Sequence, residues 1–124
     1  MSEEKVPDPR TPDVVREERA AFPSLYCAMW PGLVARACEL GYALLIHGSL
    51  ARDLDLVAVP WTEAAVSDED LVEAIRAKCD GWVGVSAAKP GGVGAKPHAR
   101  KVWTLMLNGH AYIDLSVMPR AVPA

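Results

Sequence analysis

A chain of 124 residues, 51% apolar and 23% charged with a formal net charge of −3, can bury one sheet with a few helices against it but not two independent cores. The acidic balance argues against a broad footprint on nucleic-acid backbone, while a local basic loop could still hold a nucleotide. Cys27, Cys38 and Cys79 stand in no metal or CxxC spacing and suggest neither a disulfide framework nor a zinc site. The acidic, proline-bearing opening MSEEKVPDPR is unlike a signal peptide, and runs such as YALLI are far short of a membrane span; the expectation is a soluble, cytoplasmic protein with no membrane partner.

In chain order, residues 1–10 read as a loose arm and 11–124 as a single domain. Thr11 and Pro12 start a helix whose apolar face reaches Pro23, and SLYCAMW (24–30) is a short helix broken at Pro31. Leu33, Val34, Ala37 and Leu40 then repeat at helical spacing up to Gly41, which can end the helix in a left-handed conformation. YALLI reads as a buried strand, HGSLAR as a turn, and DLDLVAV as a second strand with an interior apolar on both faces, stopped by Pro60. Ser67 with Asp70 starts a helix carrying Leu71, Ile75 and Cys79 as far as Gly81. WVGVS (82–86) is a third strand candidate, and AAKPGGVGAKPHARK reads as an irregular loop. The last part is a β-hairpin, KVWTLML and HAYIDLSVM around Asn108-Gly109. A two-residue turn would set Asp114 opposite Trp103 and Tyr112 opposite Leu105, all on one face.

The chemistry lies in HGSLARDLDLVAV, residues 47–59. Side chains at i and i+2 of a strand leave the same face, so Asp53 and Asp55 point together. Two carboxylates that close repel each other, and a divalent cation between them is the usual reason to tolerate the pair. Oxygen-only ligands suit magnesium, and Asp114 on the hairpin is available as a third. Gly48 and Ser49 form a turn whose amides and hydroxyl could receive phosphate oxygens. The alternative for Asp53 and Asp55 is a solvated strand start, and for Ser49 a turn hydroxyl bonded to its own backbone. Arg52 is either an ion-pair partner of the acids or a phosphate contact. The basic stretch with Lys96, His98 and Arg100 either closes over a triphosphate or is a surface loop; GGVGAKP lacks P-loop spacing. His47, His98 and His110 have no spacing that suggests a metal trio.

GS after an apolar strand, DLDL opening the next, and a lone Asp in YIDLSV together resemble the nucleotidyltransferase superfamily that includes polymerase beta, over roughly residues 31–118. HGSLARDLDLVAVPW and YIDLSVMPR are also similar to short phage-encoded proteins of this fold. The resemblance implies a mixed α+β fold, a small mixed sheet backed by helices. It also implies transfer of a nucleoside monophosphate from a nucleoside triphosphate under two magnesium ions. It implies that Gly48 and Ser49, with Arg52 and Lys96, touch the phosphates, that Asp53 and Asp55 bind both metals, and that Asp114 is third ligand and base. Only LAR separates Ser49 from Asp53, shorter than is usual in that family, and ten residues follow Asp114. Recognition of the unknown acceptor is therefore either absent or completed by a second subunit, as in a homodimer. The competing expectation is an inactive binding or interaction module of the same fold with a protein partner.

Overall fold

The computed structural model describes residues 20–82, 88–91, 96–107 and 110–121, with 88–91 described by backbone alone. The arm over 1–10, the helix start at Thr11 and Pro12, residues 83–86 of the WVGVS candidate and the Asn108-Gly109 turn lie outside the described residues. No helix among the described residues is long and apolar enough to cross a membrane.

Phe22, Tyr26, Met29, Leu33 and Ala37 recur at steps of three and four, and all five are buried along one side of α1 (Phe22–Glu39). This helix continues through Pro31, where the sequence reading put a break. Pro31 and Cys27 are both exposed, so water can take over the carbonyl at i−4 that a proline cannot satisfy. Pro23, expected to close a preceding helix, instead sits in the first turn of α1, where no intrahelical donor is needed. At the other end Gly41 adopts a φ of 89°, as expected. A Cβ there would come within 2.6 Å of the Ala65 backbone, and the Gly41 carbonyl accepts from the amides of Trp61 and Thr62.

The second helix, α2 (Asp68–Asp80), starts as its sequence predicts. The Ser67 hydroxyl accepts from the Asp70 amide at 3.1 Å, Asp68, Glu69 and Asp70 complement the helix dipole, and Leu71, Val72, Ile75 and Cys79 turn inward.

Among the described residues five strands form one mixed sheet: β1 (Tyr42–His47), β2 (Leu54–Pro60), β3 (Ala88–Gly91), β4 (Lys101–Met106) and β5 (Tyr112–Val117). Their order is β1-β2-β5-β4-β3. Only the β2–β5 pair is parallel. The expected mixed α+β class, with helices behind a small sheet and a C-terminal hairpin, is what the chain adopts.

Burial along β2 alternates from Leu54 to Val59. Leu54, Leu56 and Ala58 join Ile113, Leu115, Val117, Trp103 and Leu105 in the core with α1 and α2. Asp55, Val57, Val102, Thr104, Asp114 and Ser116 are half-buried on the opposite face. The expectation that β2 is apolar on both faces therefore fails in its environment: valine lines an open face here. β1 is less buried than YALLI suggests, with Leu45 52% and Ile46 41% exposed, because β1 is an edge strand.

Two further expectations change. β3 falls inside the stretch read as wholly irregular, pairing with β4 from Ala88↔Leu105 to Gly91↔Val102; proline and glycine are tolerated there because the strand is the sheet's other edge. The hairpin register is shifted by one. Leu107 N–H bonds the Ala111 carbonyl, so three residues lie between the closing pair instead of two. Thr104, not Trp103, faces Asp114, and Leu105 faces Ile113 instead of Tyr112. A one-residue slip exchanges the faces, so Trp103 and Leu105 enter the core and do not share a face with Asp114 and Tyr112.

Candidate metal centre

The parallel register sets Asp55 beside Asp114, and Asp53 stands one residue ahead of β2. One carboxylate oxygen from each of Asp53, Asp55 and Asp114 lies within 4.8 Å of the others, and all three residues are half-buried. The expected trio therefore converges, from two strands far apart in sequence. Its electrostatics show the cost of bringing like charges together. Burial raises Asp55 most, followed by its hydrogen bond and repulsion with Asp53 and the charge of Asp114; His47 opposes them, and the carboxyl is pushed up to about 6. Asp114 is raised too, mainly by burial, against the opposing hydrogen bond from Thr104. Three crowded oxygen ligands that hinder one another's ionisation fit a hard divalent cation, whose charge reverses the repulsion.

Several side chains fix this geometry. Thr104 Oγ1 donates to Asp114 Oδ1 at 3.0 Å. From α1, the buried Tyr26 hydroxyl donates to the Arg52 carbonyl at 2.8 Å and accepts from the Tyr112 amide at 3.3 Å. That single oxygen ties the residue before Asp53 to the start of β5. Burial pushes the Tyr26 phenol up to about 12, so it remains a donor.

The turn after β1 is built close against the carboxylates. Gly48 has a φ of 89°, and a Cβ on it would lie 2.7 Å from Asp55 Oδ2. The Ser49 hydroxyl accepts from the Ala51 amide at 3.3 Å, which is the turn-forming role considered for it. Leu50 takes a positive φ of 66°, a conformation costing about 1–2 kcal/mol for a side chain with Cβ. Its side chain packs on the core and, with Tyr26, Trp30 and Ile46, lines a small apolar pocket. Arg52 is exposed, with its carbonyl held by Tyr26.

On the open sheet face a cavity of about 560 Å³ takes its wall from His47, Asp55, Val57, Asp114 and Ser116, with Lys96, His98 and Arg100 from the segment before β4. Lys96, expected at the phosphates, thus shares a cavity with two of the three aspartates. His47, set aside in the sequence reading as packing or surface, faces Asp55 across the β1–β2 pair. His98, named in the basic stretch, lines the cavity. Thr104 and Tyr26 were also missed. Hydrophobic spacing alone would have placed Tyr26 on the buried face of α1, but a hydroxyl bridging two distant backbone groups leaves no local signal.

No family model and no curated protein matches the chain. Solved structures do. The chain is similar to a non-canonical poly(A) polymerase in the GLD-2–GLD-3 complex at 15% identity and a TM-score of 0.41, covering 87% of this chain and 35% of that one. It is similar to the GLD-2/RNP-8 complex at 13% identity and 0.46, covering 86% and 44%. It is also similar to the Cid1 poly(U) polymerase with magnesium and 3′-dATP bound, at 15% identity and 0.43, covering 86% and 32%. The chain spans less than half the length of each of these chains, which are nucleotidyltransferase superfamily members. At such identities and scores the likeness reaches no further than the course of the backbone.

Proposed function

We propose that this chain is a magnesium-dependent nucleotidyltransferase that moves a nucleoside monophosphate from a nucleoside triphosphate to an acceptor hydroxyl. The observation that carries the reading is the convergence of Asp53, Asp55 and Asp114 beside the Gly48 turn. Asp53 and Asp55 would hold two magnesium ions and Asp114 would be the third ligand. When bound, the ions would make the acceptor oxygen more acidic and neutralise charge on the leaving group. The turn amides and Ser49 hydroxyl, with Arg52 and Lys96, would hold phosphate oxygens. Gly48 serves that task because its missing Cβ lets the backbone approach the metal-binding carboxylate. Asp114, raised by burial and held by Thr104, would take the proton of the acceptor hydroxyl.

Thermal unfolding of the wild type and Asp55→Asn with magnesium and each of the four nucleoside triphosphates tests this reading. The wild type should gain several degrees with at least one metal–nucleotide pair, as expected for about 2.7 kcal/mol at a hundredfold excess over Kd. Asp55→Asn should lose that gain. Incubation with labelled triphosphate then distinguishes turnover from binding. A wild type that responds to no pair would be the interaction module instead.

A further inference from the structure

We infer that the acceptor is a small molecule carrying an anionic group, a phosphomonoester or a carboxylate, held by Arg100 and His98 in the groove that leads along the open sheet face from Asp114. The inference rests on the transferase reading and adds the substrate class that the same site would accept.

The turn with Gly48 follows β1, whose last residue, His47, pairs with Asp55, so the turn stands at the N-terminal end of β2. The groove runs the other way. It follows the parallel strands from Asp55 and Asp114 to Val57 and Ser116 and on to Met118. His47, the residue before the turn, lines the near end of the same cavity, so the carboxylates stand where the turn meets the groove. In-line displacement at phosphorus needs attacking and leaving oxygens on opposite sides. With phosphates on the turn, the attacking oxygen has the groove to come from.

The groove has the size and the chemistry of a small-molecule site. Its volume of about 560 Å³ lies in the range of small-molecule sites. Val57 and Val102 supply apolar floor and Ser116 a hydroxyl, while His98 and Arg100, besides the Lys96 proposed at the phosphates, bring basic groups to the wall of a chain whose net charge is −3. His98 and Ala99 both take positive φ, 64° and 60°, a strained conformation for residues that carry a Cβ. Strain of this kind clusters where side chains must be aimed at a ligand. Arg100 Nη1 donates to the Pro97 carbonyl at 3.0 Å, which orients the guanidinium and leaves its other donors for a forked acceptor such as phosphate or carboxylate. A duplex or long strand would instead call for a broad basic surface.

In the transfer the acceptor hydroxyl oxygen forms a bond to the α-phosphorus and its proton passes to the Asp114 carboxylate. The bond from the α-phosphorus to the bridging oxygen breaks, and pyrophosphate leaves with the electron pair.

Calorimetric titration of the full chain with glycerol 3-phosphate, glycerate and glycerol tests the assignment. At least one of the two anions should bind and glycerol should not. Arg100→Ala should weaken that binding at least tenfold, with part of the affinity regained in Arg100→Lys, while both variants keep the shift produced by the magnesium–triphosphate pair. Glycerol binding as well as the anions, indifference to Arg100→Ala, or extension of an oligonucleotide in preference to small acceptors would overturn it. Arg100-dependent anion binding without any metal–nucleotide shift would sink the transferase reading and leave the anion groove standing. A metal–nucleotide shift without anion preference would sink the acceptor assignment alone.

Discussion

The hydroxyl of Tyr26, on α1, donates to the carbonyl of Arg52 at 2.8 Å. Because the same oxygen accepts from the Tyr112 amide, a residue of the helical layer sets the spacing between the two chain segments that deliver Asp53 and Asp114. Tyr26→Phe keeps the ring and removes the bridge. It should cost about 1 kcal/mol, the usual net worth of hydrogen bonds to backbone groups that are only part-buried. It should also weaken magnesium binding, because the carboxylates lose their common anchor. Thermal unfolding and a magnesium titration of the same preparation check both; lower stability with unchanged metal affinity would confine Tyr26 to packing.

Thr104 holds the ionised form of Asp114 through a 3.0 Å hydrogen bond. Thr104→Val preserves shape and deletes the donor, so the Asp114 carboxyl should rise further and metal affinity fall by about tenfold, a usual cost of losing a partner behind a ligand. The loss should be larger at pH 6 than at pH 8, where protons compete less. Thr104→Ser should restore binding at both values, and magnesium titrations at the two pH values measure the difference.

Asp55 is raised in the folded chain to about 6 from an ordinary 3.8. A folded pKa above the unfolded one favours folding while the group is protonated. The contribution is fully present below the unfolded value and is lost as pH rises through about 6. Metal-free wild type should therefore lose stability relative to Asp55→Asn over that interval, so that the variant is the more stable of the two at neutral pH. At the proposed site magnesium would compete with the same proton, and its stabilisation of the wild type should grow as pH passes 6. Unfolding curves of both proteins from pH 4 to about 8, with and without magnesium, read the two effects.

Gly48 carries a φ of 89° and faces Asp55 Oδ2 where a Cβ would come to 2.7 Å. Gly48→Ala should cost about 1–2 kcal/mol from the left-handed backbone alone. It should also displace the Asp55 carboxylate and abolish the metal–nucleotide shift. An alanine variant that kept the full shift would show that the turn does not set the carboxylate's position.

The carboxylate trio was legible because strand periodicity is a strong local rule: i and i+2 share a face, and an aspartate on a later strand needs only a pairing to join them. Gly41 and Ser67 were legible for similar reasons, each meeting a local demand of a helix end. The course of α1 was not. Its buried face runs Phe22, Tyr26, Met29, Leu33 and Ala37 across Pro31, and punctuating the chain at prolines hid a periodicity that was present. The hairpin was found but set one residue out, since register depends on which pair closes the loop, here Leu107 with Ala111. That slip concealed Thr104 as the partner of Asp114. β3 and His47 were missed because their placement comes from pairing between segments distant in sequence, whereas His98 was named in the basic stretch as either a triphosphate contact or part of a surface loop.

The proposed transfer requires Asp53, Asp55 and Asp114 to share one cation site. Electron paramagnetic resonance titration with manganese, in the presence of a nucleoside triphosphate that stabilises the wild type, tests it directly once the nucleotide's own binding of the metal is subtracted. Saturable binding to the protein–nucleotide complex, lost in Asp55→Asn and in Asp114→Asn, is the predicted result. Manganese binding that is equal in wild type and Asp114→Asn, or absent from the wild type, would contradict it.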